Sequence, residues 1–118
     1  DKRFIIQKLN GSPSSFAFTF VFKRDYLNLK PKILNKLKKA NIEYGLITGG
    51  SFLKHPVKKF YKYSIYKNLK NTNYVHENGF FVGNDFRDLK NEIHYLHELF
   101  KEFEKSVLLD RKQKWKMP

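Results

Sequence analysis

Residues 16–22 read Phe-Ala-Phe-Thr-Phe-Val-Phe, with a phenylalanine at every second position. Side chains alternate between the two faces of a strand, so the pattern predicts that the four rings share one face. The intervening Ala17, Thr19 and Val21 carry no charge either. A strand without charge on either side is typical of one that is covered on both faces. We therefore predict a central sheet strand here.

Two stretches downstream have the apolar spacing of amphipathic helices. In the first, Asn28 is a candidate N-cap, Pro31 suits the first turn and Asn41 is a candidate C-terminal stop. Its stripe consists of Ile33, Leu34, Leu37 and Ala40. In the second, Asp88 is the candidate N-cap. Its stripe consists of Leu89, Ile93, Leu96, Phe100 and Phe103.

Shorter elements fill the space between these helices. We predict strands at 42–47 and 80–83, a loop at 48–51, a short helix from Pro56 and another that Asn71 or Thr72 caps. This order of elements predicts an α+β fold with a small three-stranded, mainly antiparallel sheet and helices packed on one face.

The net charge of +13 raises the question of a nucleic-acid partner. Of the 24 basic residues, four are arginine, which leaves 20 lysines spread along the chain. Proteins that read base edges favour the bidentate fork of arginine, and their basic residues cluster. We therefore expect nucleic acid to bind only non-specifically.

Composition also limits the compartment and the kinds of site. The 118 residues include no cysteine, which excludes disulfides and thiolate metal sites. No apolar run approaches the roughly 20 residues of a membrane span, and no signal peptide is visible. These features predict a cytoplasmic protein without a membrane partner.

Few residues suggest catalysis or metal binding. His94 and His97 stand three residues apart and could share a metal, but no third ligand is spaced to join them. We interpret them as solvated helix residues. The sequence Thr48-Gly-Gly-Ser51 lacks the lysine of a phosphate-binding P-loop. We predict no catalytic residue and no metal ligand in this chain.

Three segments carry a resemblance to a known family. They are Ser-Ser-Phe-Ala-Phe at 14–18, Ile-Glu-Tyr-Gly-Leu-Ile-Thr-Gly-Gly-Ser-Phe at 42–52, and His-Glu-Asn-Gly-Phe-Phe-Val-Gly-Asn at 76–84. In order and spacing they resemble the C-terminal small domain of the DegT/StrS family of pyridoxal-phosphate enzymes, which are aminotransferases and dehydrases of nucleotide-linked keto-sugars. The resemblance covers residues 10–103 of a single partial chain and leaves 104–118 as a polar tail.

The resemblance implies a fragment of an enzyme of surface-polysaccharide (lipopolysaccharide) biosynthesis that is not catalytic alone. The family's large domain holds pyridoxal phosphate, so we expect no cofactor on this fragment. The implied partners are a nucleotide-sugar substrate and a large domain or a homodimer partner. By resemblance, the substrate-binding residues are Ser14, Gly50, Ser51, Asn78 and Asn84. The resemblance leaves amino transfer and dehydration open.

This chain departs from the family pattern within the middle segment. Gly45 stands where the family usually has arginine, Leu46 where it has proline, and Ser51 where it has asparagine. Loss of an arginine removes a charged fork that could hold an anion. The departures suggest a divergent copy whose substrate binding is weakened.

Two other functions stay open at this stage. The chain could be a stand-alone basic module that binds RNA or another polyanion through lysines and stacked tyrosines, or it could be a non-functional remnant. The candidate stacking residues are Tyr61, Tyr63, Tyr66 and Tyr74. We interpret these four tyrosines as packed within a loop-rich region.

Overall fold

The computed structural model describes residues 1–12, 14–47 and 49–114, with side chains through residue 103. The strands are β1 (Phe4–Ile6), β2 (Ala17–Phe22), β3 (Tyr44–Leu46) and β4 (Gly79–Gly83). The α-helices are α1 (Lys30–Lys39), α2 (Lys70–Asn78) and α3 (Lys90–Lys114). Short 3₁₀ helices span Arg24–Leu29, Phe52–Lys54 and Pro56–Phe60. The predicted α+β class is confirmed.

The sheet has four strands in the order β1-β2-β4-β3, and every neighbouring pair is antiparallel. The prediction of three strands was wrong because it missed β1, where Phe4 pairs with Phe22 and Ile6 with Phe20. A three-residue strand without polar alternation carries little local signal, since its pairing partner lies far away in sequence. The prediction that residues 16–22 form a central strand is confirmed, because β2 lies between β1 and β4.

One face of the sheet forms the core together with α1 and α3. Phe22 and Phe80 on neighbouring strands are fully buried, as are Ile33 and Leu37 on α1. Leu99 and Phe100 bring α3 onto the same cluster. Helix α2 is tied to the sheet differently, since the Tyr74 hydroxyl donates a 2.7 Å hydrogen bond to the carbonyl of Phe22.

The opposite face of the sheet is only partly covered. Ile5 is 50% exposed, and Thr19 and Phe81, which are directly paired, are half-buried. The prediction that β2 is covered on both faces therefore fails for most of this face. Phe16 also departs from the predicted alternation. It precedes β2, and its ring packs edge-on against Phe81 at 6.0 Å instead of joining the core.

The helix boundaries show which of the predicted helix caps form. Asp88 Oδ1 accepts a hydrogen bond from the Lys90 backbone N–H, as predicted, and Asn41 ends the turn after α1 with a positive φ of 54°. Pro31 lies in the first turn of α1. Asn28 does not cap α1, because a 3₁₀ helix runs directly into it and Leu29 takes the N-cap position.

Two further helix boundaries differ from the predicted ones. Helix α2 begins at Lys70, so neither Asn71 nor Thr72 caps it. Helix α3 continues to Lys114, well into the stretch predicted as a polar tail. Within its predicted stripe, Ile93 is 48% exposed, and the stripe missed the buried Leu99. Position 48 of the predicted loop and positions 115–118 of the tail lie outside the described residues. Within the described part of the chain, every helix is too short or too polar to cross a membrane.

Candidate functional site

The five predicted substrate-binding residues lie at the two ends of β4. Asn78 precedes the strand, and Gly50 and Ser51 lie beside α2 near this end. Asn84 follows the strand and contacts the segment that contains Ser14. A strand advances about 3.3 Å per residue, so Asn78 and Asn84, which flank the five-residue strand, are up to ~20 Å apart. We call the first group, Gly50, Ser51, His55, His76 and Asn78, the loop site. The second, Ser14, Phe16, Asn84, Asp85 and Phe86, is the strand-end site.

The loop site is organised around His76 on α2. The backbone N–H of Ser51 donates a 3.2 Å hydrogen bond to His76 Nδ1. Because a backbone N–H donates, Nδ1 is the acceptor in this contact, and Nε2 is left for other partners. The ring of His55 stands perpendicular to that of His76 at 5.6 Å, with its Nε2 3.3 Å from the Gly49 carbonyl. Periodicity gave no signal for His55 as a site residue.

Gly50 makes the close approach to His76 possible. Its φ is +46°, and a Cβ built there would stand 2.0 Å from His76 Nδ1. Both the backbone conformation and the packing therefore select glycine at this position. The predicted role of Gly50 in substrate binding stays a prediction, because its backbone has this structural reason of its own.

Replacing Gly50 with alanine should lower the free energy of unfolding by about 1–3 kcal/mol, through left-handed backbone strain and displacement of His76. The matched control is Gly49→Ala, since a Cβ at Gly49 meets nothing within 4 Å. That control should change stability by ~0.5 kcal/mol or less. Urea unfolding measures both variants, and equal losses would contradict the assigned packing of Gly50.

Ser51 and Asn78 behave differently within the loop site. Ser51 is fully buried, and its Oγ has no hydrogen-bond partner among the described residues. A buried hydroxyl without a partner costs stability, and the burial of this oxygen keeps it from direct contact with a ligand in the structure described. Asn78 uses its side-chain amide to donate a 3.0 Å bond to the Tyr74 carbonyl, which closes the last turn of α2.

Glu77 links the loop site to the helices around it. Its carboxylate pairs with Lys54 at 2.7 Å, and its carbonyl accepts a hydrogen bond from the Lys30 ammonium. The bond and charge of Lys54 hold the pKa of Glu77 below its usual range. Partial burial lowers the pKa of Lys30.

At the strand-end site, Asn84 ties two segments together. Its backbone N–H donates to the Phe16 carbonyl at 2.9 Å, and its side-chain amide donates to the Ser15 carbonyl at 2.6 Å. Beside it, Asp85 Oδ2 accepts hydrogen bonds from Arg87 Nε at 2.8 Å and Nη2 at 2.5 Å. Hydrogen bonds from Arg87 keep the pKa of Asp85 below its usual range, so this carboxyl is ionised at neutral pH. Asp85, Phe86 and Arg87 escaped notice in the sequence because they lie in an irregular turn.

The Phe81 ring fills the space beside Gly45 where a side chain would lie. Gly45 and Phe81 are directly paired across β3 and β4, and a Cβ at Gly45 would stand 2.3 Å from Phe81 Cζ. The Phe81 ring therefore covers the place where a side chain would begin. An arginine at position 45 would require the Phe81 ring to move away.

The remaining candidates are surface residues. His94 and His97 are both exposed on α3, and no group of three metal-binding side chains occurs among the described residues. Tyr61, Tyr63 and Tyr66 are exposed, at 60%, 49% and 82%. Tyr61 and Tyr63 still pack edge-on against the Phe52 ring, at 5.9 and 6.1 Å, so the interpretation that the tyrosines are packed fails clearly only for Tyr66. Only Tyr74 of the four candidate tyrosines is held by the core, through its bond to Phe22.

Comparison with known proteins connects these sites to a family. The chain is 37% identical over 97 residues to a GDP-4-keto-6-deoxy-D-mannose 3-dehydratase of Escherichia coli O55:H7, an alignment that covers 81% of this chain and 25% of the enzyme. It is 34% identical over 97 residues to the enzyme of the same name from Yersinia pseudotuberculosis, with the same coverage.

The chain is homologous to the C-terminal quarter of these dehydratases, pyridoxal-phosphate enzymes of the DegT family.

The solved structures agree with the sequence comparison. The E. coli dehydratase with bound hydrated pyridoxal phosphate matches with a TM-score of 0.77 at 36% identity, over 82% of this chain and 25% of that one. A histidine-to-asparagine variant of the dehydratase with bound GDP-perosamine matches with a TM-score of 0.78 at 35% identity, over 84% and 26%. The chain thus spans about a quarter of the length of these relatives. No protein-family model matches the chain. The resemblance inferred from sequence is confirmed, and the relatives are dehydratases rather than aminotransferases.

Proposed function

We propose that this chain is the small C-terminal domain of a pyridoxal-phosphate-dependent 3-dehydratase and that it closes over a GDP-linked keto-sugar. The observation that carries the proposal is the joint match in sequence and fold, 36% identity at a TM-score of 0.77, to one contiguous quarter of a dehydratase. At this identity, shared ancestry explains both the topology and the three motifs. Dehydration is favoured over amino transfer because both curated relatives are 3-dehydratases.

We assign no cofactor site to the described residues. An aldimine lysine needs a depressed pKa, a phosphate-binding cup and a partner for the ring nitrogen. Lys30 has the depressed pKa, but its ammonium is bound to the Glu77 carbonyl. We therefore assign no chemical step to this chain. In the proposed enzyme the cofactor supplies the electron sink, and this chain contributes substrate contacts and excludes water.

The exposed apolar surface of the chain fits a domain that packs against a larger protein. Large apolar side chains are exposed on the open sheet face and in the segment 56–66, where Phe60 is 74% and Tyr66 is 82% exposed. Contiguous exposed apolar surface usually marks an interaction site. The open face and this segment are the surfaces that a large domain or a dimer partner would cover.

A second candidate is binding of a polyanion by the same segment. Lys59 lies over the Phe60 ring and Lys67 over the Tyr66 ring, each at 5.0 Å, so charge and stacking surface alternate. Such an arrangement binds single strands without sequence preference and loses affinity steeply with salt. This behaviour separates it from the proposed domain function, which requires recognition of a particular nucleotide.

A chimera tests the proposed function. The matching quarter of the E. coli dehydratase is replaced by this chain, and turnover of GDP-4-keto-6-deoxymannose is measured. We expect dehydration that a truncated parent without its C-terminal quarter does not show, since this chain restores the closing surface. A folded chimera that binds pyridoxal phosphate but turns over no faster than the truncated parent would contradict the proposal.

A further inference from the structure

We propose that the strand-end site binds the guanine base of the nucleotide, with Phe16 and Phe86 as stacking surfaces and the Asp85 carboxylate as the reader of the base edge. The inference rests on the proposed function for the expectation that the ligand is a GDP-sugar. It goes beyond that function because it assigns the base to named residues, of which Asp85 and Phe86 lie outside the three motifs.

Two rings stand exposed on one depression. Phe86 is 99% exposed and Phe16 is 80% exposed, and both line a cavity together with Ser14, Asn84 and Asp85. Every nucleobase has a π-face that stacks on such rings, and stacking on an aromatic side chain contributes substantially to affinity. These two rings share the depression with Ser14, Asn84 and Asp85, whose polar groups can form directional hydrogen bonds.

The Asp85 carboxylate on this depression matches guanine. Arg87 holds Asp85 Oδ2, which fixes the orientation of the carboxylate, whereas the hydrogen bond from the Arg87 backbone N–H to Oδ1 is long at 3.3 Å. A stronger donor from a ligand can therefore compete for Oδ1. Guanine presents N–H donors at N1 and N2, and a carboxylate accepts from such donors. Adenine has neither donor, so the carboxylate fits it less well.

The site is also held in shape before a ligand arrives. Both Asn84 hydrogen bonds fix the Ser14–Phe16 segment against the end of β4. The Phe16 ring rests edge-on against Phe81 at an interplanar angle of 71°. Preorganised groups lose less entropy on binding, which favours measurable affinity for the base.

Calorimetric titration of the full chain with GDP, ADP and guanosine tests the inference. At about 0.15 M salt, where simple charge attraction is screened, we expect GDP to bind about tenfold more tightly than ADP. Guanosine, which has no phosphate, should compete with GDP. Phe86→Ala should weaken GDP binding about tenfold, whereas the control Tyr95→Ala, at an exposed ring on α3 outside both candidate surfaces, should leave the affinity unchanged. Asp85→Asn should bring the affinities for GDP and ADP close to each other.

Equal affinities for GDP and ADP, or full GDP affinity in Phe86→Ala, would overturn the inference, as would a lack of saturable GDP binding. The chimera keeps this outcome separate from the proposed function. If Phe86→Ala leaves the KM of an active chimera unchanged, the base is held elsewhere and the proposed function stands. If the chain prefers GDP but the chimera is inactive, the base site stands and the proposed function falls.

Discussion

Replacing Phe80 with alanine should lower the free energy of unfolding by about 3–5 kcal/mol, the usual cost of deleting a buried phenyl ring. Phe80 is fully buried on the central strand β4. Its ring stacks on Phe20 at 5.2 Å and contacts Phe22 at 5.6 Å and Phe4 at 6.0 Å. The cavity left by alanine would lie between the sheet and both core helices, where little can collapse to fill it. Urea unfolding followed by circular dichroism measures the loss.

The matched control for Phe80 is Phe86→Ala, which removes the same ring from a position that is 99% exposed. This variant should change stability by less than ~0.5 kcal/mol. The control also shows that an effect of Phe86→Ala on GDP binding comes from the ring and not from unfolding. If the two variants lose similar stability, the core is not where the structure places it.

Replacing Arg3 with alanine should cost about 3 kcal/mol, because breaking a buried charged contact leaves its partners unsatisfied. Arg3 is 1% exposed. Its Nη1 donates a 2.5 Å bond to the Phe100 carbonyl on α3, and its Nε donates a 2.9 Å bond to Asp1 Oδ1. The guanidinium also lies 5.9 Å from the ring centres of Phe4 and Phe100. This side chain therefore connects the first strand to the last helix.

Two further variants separate charge from geometry at Arg3. Arg3→Lys keeps the positive charge but loses the planar fork, so it should recover only part of the stability. Lys2→Ala removes a neighbouring charge from an exposed position and should have little effect. The midpoints of urea unfolding rank the variants. A full recovery by lysine would show that charge alone, and not the bond to Phe100, carries the contribution.

Patterns within a few residues were sufficient to predict the strand and helix boundaries that depend on local hydrogen bonds or backbone dihedrals. The phenylalanine alternation located β2, Pro31 and Asn41 marked the two ends of α1, and Asp88 marked the start of α3. Each of these signals acts through a hydrogen bond or a backbone dihedral within a few residues. The resemblance then identified the family from motifs that the fold places on β2, β3 and β4.

Long-range contacts explain what the sequence did not reveal. β1 exists because Phe4 finds Phe22 across the sheet, and burial of Arg3 depends on the Phe100 carbonyl 97 residues away. Phe16 does not follow the alternating pattern because its ring packs against Phe81 on the other face of the sheet. None of these partners can be located from spacing along the chain.

The candidate site also combines residues that local motifs indicated with residues that only the fold brought to light. Motifs indicated Ser14, Gly50, Ser51, Asn78 and Asn84 together, whereas the fold separates them to the two ends of one strand. Their contact with substrate stays a prediction. The histidine pair and the turn residues around Asp85 became visible only once the chain was folded, because neither group has a periodic or motif-like pattern.

The central claim is that this chain supplies the closing domain of a GDP-sugar 3-dehydratase, and turnover by the chimera tests it most directly. The rate with GDP-4-keto-6-deoxymannose is compared among the chimera, the intact E. coli parent and the parent truncated before its last quarter. The account predicts that the chimera dehydrates the substrate, more slowly than the parent because of the changes at Gly45 and Ser51, and that the truncated parent does not. A soluble, cofactor-loaded chimera as inactive as the truncated parent would contradict the claim.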